Sequence, residues 1–281
     1  MTYTKIGEVV CGEQATVGTG FSATRFRHTG FTTNVSPFVL VDHYHMRART
    51  FGPHPHAGFS SVTLAFEDCV GEVVSRDSVG HKASIRAGDL HWTLAGSGIV
   101  HSQEPEAEGV SFHGLQIFVN LPERLKLARP ASWLLPADRI PTMQERGAIV
   151  RVVAGSYKGL QSPAELPQPL TVLDAGMAPD ATLVVPLPKD WNAIVIAISG
   201  TTMIDASAEC TLAAGEAVSL SSTQVDGDFQ LRALDRARVV VLAAAAIQEP
   251  VMEHGPFIGN AQDQLALYEA CFRRGEFGAI A

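Results

Sequence analysis

Apolar runs in this chain are short, and tight turns close them. Ala193 to Ser199 and Ala237 to Leu242 are brief stretches dense in Val and Ile, and Ser111 to Leu121 (SFHGLQIFVNL) is rich in β-formers. Between such runs stand Ala87-Gly88-Asp89, Ala95-Gly96-Ser97-Gly98, Ala214-Gly215-Glu216 and Asp226-Gly227-Asp228. Short strands punctuated by Gly/Asp turns predict an all-β sandwich or barrel. The longest apolar run, Val239 to Ile247, is nine residues. It is too short to span a bilayer as a helix and fits a buried strand.

The 281 residues accommodate two domains of moderate size at roughly 150 residues each. A faint internal repeat agrees. Arg86-Ala87-Gly88-Asp89-Leu90 resembles Ala213-Ala214-Gly215-Glu216-Ala217, and Val62 to Asp68 resembles Ile194 to Gly200 at nearly the same offset. The prolines at 122, 130, 136 and 141 mark the expected linker. One helix is expected from Ala261 to Arg274. Asn260 is its expected N-cap and Asp263 sits in its first turn. Leu265, Tyr268 and Cys271/Phe272 line one face, and Arg273-Arg274-Gly275 end it.

Apolar residues make up 46% of the chain and charged residues 18%, which is enough to build a core and excludes wholesale disorder. Twenty-one basic against 29 acidic residues leave a net charge of −8. That balance excludes a general nucleic-acid or anionic-membrane binder, which needs a basic face. Met1 to Glu13 has no signal-peptide pattern. Cys11, Cys69, Cys210 and Cys271 form no CxxC pair, so neither a thiolate zinc site nor a disulfide framework is expected. A soluble cytoplasmic protein is the expected setting.

Nine of the ten histidines lie between His28 and His113. Within that half, His54-Pro55-His56 places two imidazoles on one face of an extended strand. His101 follows the Gly96-Ser97-Gly98 turn and supplies a third. Three neutral imidazoles suit iron, nickel, copper or zinc. His43 and His45 form a second same-face pair, for which packed or rim positions are expected. His91 follows the AGDL turn and can line the cavity, beside a core Trp92. A structural hydrogen-bonding role is expected for His113.

These segments resemble the pirin family. The resemblance rests on Phe51 to Val62 (FGPHPHAGFSSV), Arg86 to His101 (RAGDLHWTLAGSGIVH), and His113 to Pro122 (HGLQIFVNLP). It extends to an ending of Glu249-Pro250-Val251 followed by His254-Gly255-Pro256-Phe257-Ile258-Gly259-Asn260. It covers essentially the whole chain, in family order. The resemblance implies two cupin (double-stranded β-helix) barrels in tandem: residues 1–135 holding metal, and residues 142–259 metal-free. A short C-terminal α-helix over 260–275 follows. It further implies one metal ion per chain, iron in most pirins, with nickel, manganese, copper and zinc as alternatives. His54, His56 and His101 match the three histidine ligands.

The family's glutamate ligand corresponds to Gln103, and Ser60 stands where many pirins carry a second glutamate. Gln103 can offer an amide oxygen to a metal but cannot take a proton. Glu104 is adjacent, yet in a regular strand it faces the other way. Three histidines plus Gln103 or water is the expected ligand set, with Gln103 and Glu104 as the candidate catalytic positions. The resemblance implies a quercetin 2,3-dioxygenase-type oxidoreductase acting on a flavonol or similar enolic substrate with O2, weakened by the loss of the glutamate. The alternative it implies is a metal- and redox-responsive adaptor that binds a partner protein. No direct nucleic-acid or membrane partner is expected.

Overall fold

The structure is a computed structural model and describes residues 4–222 and 224–280. Residues 1–3, at the start of the expected first barrel, and 223, within the expected second, lie outside the described residues. The chain forms two all-β units. One comprises Gln14–Arg25, Phe38–Ala137 and Ile247–Ala281, and the other Met1–Glu13, Phe26–Pro37 and Asp138–Ala246. We call them the first and second barrel.

Each barrel is built from a seven-stranded and a four-stranded antiparallel sheet. In the first, the large sheet runs Ala131–Leu135, Leu90–Leu94, Phe59–Ala65, Phe112–Asn120, Phe38–Met46, Phe21–Arg27, Glu13–Val17. Its small sheet runs His54–His56, Ile99–Pro105, Val73–Asp77, Lys82–Ile85. In the second, the large sheet runs Lys5–Cys11, Glu216–Ser222, Trp191–Ser199, Ala237–Ala245, Leu170–Met177, Ala148–Ala154, Thr142–Glu145. The small one runs Thr182–Leu187, Gly227–Ala233, Thr201–Asp205, Glu209–Ala213. These are two double-stranded β-helix barrels, with one short α-helix among the described residues.

The faint repeat falls on equivalent strands. The AGD and AGE turns lead into Leu90–Leu94 and Glu216–Ser222, which hold the same place in their sheets. The acid does the same work in both turns. Asp89 Oδ2 accepts the Arg86 N–H at 2.9 Å, and Glu216 Oε2 accepts the Ala213 N–H at 2.7 Å.

Three boundaries differ from the sequence expectation. Lys5–Cys11 pairs with Glu216–Ser222, so the start of the chain belongs to the second barrel. The expected linker carries a strand, Ala131–Leu135, that pairs with Leu90–Leu94 and stacks Trp133 on Trp92 at 5.9 Å. The helix belongs to the first barrel rather than standing apart. Proline density alone does not report which edges remain open for pairing, and the open edge of each large sheet decided the outcome.

The helix spans Gln262–Arg273, with Ala261 and not Asn260 at its N-cap. Gln264 Oε1 reaches back to the Asn260 N–H at 2.8 Å, which ties the residue before the N-cap to the first turn. Leu265 and Tyr268 are buried against Ala57, Val100, Phe257 and Phe277. Phe272, expected on that face, is 40% exposed. It lies one turn beyond Tyr268, where the helix ends, and its ring meets those of Phe257 and Phe277. No described helix is long and apolar enough to cross a membrane.

Candidate metal centre

The His54–His56 strand pairs with Ile99–Pro105 in a register that sets His54 opposite His101. His56 shares His54's face because residues i and i+2 of a strand do. Two short segments therefore bring three imidazoles together. Their ring centroids are 4.6, 4.7 and 4.8 Å apart, and the planes are inclined by 61° to 84°. One ring nitrogen from each lies within 4.8 Å of the others.

The turns around this strand are fixed by close approach. Gly58 has φ +80°, and a Cβ there would meet the Ile258 carbonyl at 1.9 Å. Gly98 has φ +134°, and a Cβ there would enter the Phe277 ring at 2.0 Å. The C-terminal segment thus packs directly behind the histidine strand, and the Ile258 N–H donates to the Ala57 carbonyl at 3.0 Å.

The chemistry of the donor set fits a cation. His54 Nδ1 donates to the Gly52 carbonyl at 2.7 Å, which leaves its Nε2 with a lone pair. That Nε2 lies 3.1 Å from His101 Nε2. Two ligands on one first-row metal lie about 3.0–3.4 Å apart, for bonds of about 2.1 Å at angles between square and tetrahedral. His101 Nδ1 is buried without a hydrogen-bond partner, and the Pro256 carbonyl near His56 opposes the effect of burial there. Burial pushes His56 down to about 3 and His101 well below the ordinary imidazole range. Burial also lowers His54, opposed by the Gly52 carbonyl and the Glu104 carboxylate. Three neutral imidazoles with converging nitrogens are the donor set a first-row metal takes. Phe59 and Phe118 pack on His56 at 4.9 and 5.5 Å, and Phe51 approaches His54 at 6.5 Å.

Gln103 is buried two residues beyond His101, on the same face of its strand. Its amide is committed: Nε2 lies 3.1 Å from His91 Nδ1, and Oε1 lies 2.9 Å from the Thr63 hydroxyl. The Thr63 hydroxyl is also 3.0 Å from Gln116 Oε1, and Gln116 Nε2 donates to Ser61 at 2.7 Å. Burial takes His91 down to about 4, so its Nδ1 accepts the amide proton as a neutral imidazole. This interior polar chain was not read from the sequence. Ser61, Thr63, His91 and Gln116 are spread over three strands, and only the register gathers them.

Glu104 is half-buried on the opposite face from His101, with Val100, which packs toward the helix. Ser60 is buried, but alternation sets it on the other face from Phe59 and Ser61. An acid at the Ser60 position, where many pirins carry a glutamate, would therefore point away from the histidines.

His43, His45 and His113 form a second cluster, again with ring nitrogens within 4.8 Å. From the sequence, His43 and His45 are expected as a same-face pair in packed or rim positions, and His113 in a structural hydrogen-bonding role. The spacing of His43 and His45 repeats that of His54 and His56, and this was the available signal. The pairing of His113 opposite His45 was not legible.

Two family models match the chain, one toward each end. The Pirin family model matches residues 20–119, and the model of the pirin C-terminal cupin domain matches residues 172–278. Pirin of Homo sapiens is 32% identical over 253 residues, covering 87% of this chain and 84% of that protein. A crystal structure of quercetin 2,3-dioxygenase from Acinetobacter baumannii aligns over 99% of both chains with a TM-score of 0.86 and 28% identity. The bacterial pirin YhhW of Escherichia coli, solved in complex with nickel(II), shares the fold at a TM-score of 0.65 and 16% identity. That match covers 85% of this chain and 100% of YhhW.

Proposed function

This chain belongs to the pirin family, and we propose that it is a metal-dependent dioxygenase that opens a flavonol or a similar planar enolic substrate with O2. The observation that carries the reading is the trio of mutually inclined, neutral imidazoles at half-buried His54 and buried His56 and His101. The likeness to a quercetin 2,3-dioxygenase along the whole chain supports it.

His54, His56 and His101 would hold the ion, iron first, with nickel, manganese, copper or zinc as alternatives. A bound first-row metal supplies Lewis acidity toward an enolic oxygen. The residues of the chain do the rest. The Gly52 carbonyl orients His54. Phe51, Phe59 and Phe118 give apolar walls suited to a flat aromatic ring. Gln103 holds the position two residues from His101 where a proton acceptor is wanted, but an amide accepts no proton. Its bonds to Thr63 and His91 make it an orienting group, and His91, already accepting at Nδ1, is no substitute base. General-base help is worth about 10²–10⁴-fold, so the wild-type rate is set low by this one residue.

O2 uptake with quercetin, on protein of measured metal content, tests the reading. A slow, metal-dependent uptake that rises in Gln103→Glu supports it. No uptake in either protein at full metal loading sinks it. That outcome would favour the second reading, a metal- and redox-responsive adaptor, to which the replacement of the glutamate by Gln103 already points.

A further inference from the structure

The outer face of the first barrel repeats the geometry of its interior. In the strand Phe38–Met46, Tyr44 and Met46 face the core, as does Phe112 of the neighbouring strand Phe112–Asn120. His43, His45 and His113 must therefore face the other way. The register sets His113 directly opposite His45, with His43 on the diagonal. The plan is that of the buried centre, an HxH pair on one strand and a third histidine across the ladder.

We propose that His43, His45 and His113 form a second, exchangeable site for a divalent first-row cation of the zinc or copper kind, with Asp68 as its orienting carboxylate. His113 Nδ1 lies 2.8 and 3.0 Å from the two Asp68 oxygens, which fixes the proton on Nδ1 and turns the Nε2 lone pair outward. A carboxylate behind a histidine is the usual outer support of a metal ligand. The segment that carries Asp68 is clamped to the same strand. The Phe66 N–H donates to the His113 carbonyl at 2.9 Å, and Cys69 Sγ bonds both the His113 N–H and its carbonyl at 3.2 and 3.1 Å. The Phe66 ring packs edge-on against His113 at 4.8 Å.

His43 Nε2 sits 2.7 Å from His113 Nε2. With the His113 proton held by Asp68, His43 is the donor in that bond, and a cation takes the place of the shared proton. The two nitrogens then open by a few tenths of an ångström to the about 3.0–3.4 Å that two metal ligands need. His45 stacks on His113 at 4.1 Å with planes 12° apart, and parallel planes cannot share one in-plane ion. Loading therefore turns the half-buried His45 out of the stack. This reorganisation, together with the nearby Arg47 charge, separates the site from the buried centre, whose rings are already inclined toward one point. The interior cluster holds its ion tightly, while the outer one exchanges.

The test is a Zn2+ titration of metal-stripped full-length protein, followed by calorimetry and by elemental analysis after dialysis. Wild type should bind two equivalents, of which one survives dialysis. His56→Ala should lose the retained equivalent and keep the exchangeable one. His43→Gln/His45→Gln should do the reverse. Asp68→Asn, on a side chain 61% exposed, should weaken the exchangeable site by about 10–100-fold and leave the retained ion in place. A single equivalent in wild type overturns the proposal, and so does a second equivalent untouched by both outer-site variants. If the double variant fails to fold, Asp68→Asn decides alone, and an unchanged second affinity counts against the site. No arm of the test reads dioxygenase activity, so the fate of that reading is separate.

Discussion

Lys126 is fully buried, and its ammonium ties three segments of the first barrel together. Nζ donates to the Gly58 carbonyl at 2.7 Å, to Asn120 Oδ1 at 2.5 Å and to the Ile258 carbonyl at 2.8 Å. Its own carbonyl accepts the Tyr268 hydroxyl at 3.0 Å. Gly58 stands two residues past His56, so this lysine fastens the C-terminal segment behind the histidine strand. Lys126→Met keeps most of the volume and deletes the donors. Each orphaned buried acceptor costs about 1–3 kcal/mol, so the low end for three gives about 3 kcal/mol. At about 2–4 °C per kcal/mol for a domain of this size, the melting temperature should fall by about 6–12 °C. The pH dependence has a definite sign. Burial pulls Lys126 from 10.5 to about 7, so between those values the unfolded chain holds a proton that the folded chain has released, and the neutral amine keeps two donors for the three oxygens. Stability contributed by the wild-type lysine therefore rises with pH across that window and is lowest below about 7. The methionine variant lacks this contribution. Chemical unfolding of both proteins from pH 7 to 10 should show a gap that widens by at most about 1.4 kcal/mol per pH unit. Two results would refute the reasoning: a melting temperature unchanged at pH 7, or a large gap that stays flat with pH. The flat gap would mean that the three oxygens keep the lysine charged throughout.

Gln103→Glu should raise the flavonol-dependent O2 uptake rate at least tenfold at equal metal loading, whereas Glu104→Gln, on the outward face, should leave it within about twofold. If wild type is fast and Glu104→Gln abolishes the rate, Glu104 and not Gln103 serves the metal. His56→Ala should remove the tightly held ion, and His254→Ala, at an exposed position in the C-terminal segment, should leave metal content unchanged by elemental analysis. Ending the chain after Gly259 should remove Leu265, Tyr268 and Phe277 from the cluster around Ala57 and Val100. Each is worth about 1.5–3 kcal/mol when buried. A truncated protein that melts with the full chain would show the helix to be peripheral.

What was legible in the sequence is local. His54 and His56 share a face because a strand alternates, and no tertiary knowledge is needed for that. The AGD and AGE turns announced equivalent strands because an acid three residues on closes the same hydrogen bond in each. What was not legible is register. His113 meets His45, and Gln103 meets Thr63 and His91, only because particular ladders slid to particular pairings. A shift of one residue would have turned each of these side chains to the opposite face. The exchange of chain termini between barrels escaped for a related reason. An edge strand such as Lys5–Cys11 carries no mark of which open edge it will fill.

The two barrels share one strand order, so their difference lies in what points inward. The cross-strand pair His54 and His101 has its topological counterpart between Thr182–Leu187 and Gly227–Ala233, where Val185 faces Phe229 and Leu183 faces Leu231. The strand Phe59–Ala65 offers Ser61 and Thr63 to its interior, and its counterpart offers Ala193, Val195 and Ala197. Where the first barrel places His91, the counterpart strand places Val218 and Leu220. A buried polar side chain is tolerated only when partnered, and three imidazoles that share one focus cannot all be partnered by one another. The first barrel therefore carries a standing penalty that a cation would relieve, while the interior of the second is a continuous apolar cluster at the corresponding positions. Metal removal should then lower the melting temperature of the first barrel through mass action and leave the second where it was. Two separated transitions in the metal-free protein, merging as metal is restored, would show that the asymmetry seen in the side chains is also an asymmetry of stability. A single transition indifferent to metal would mean that the polar interior is already satisfied without it.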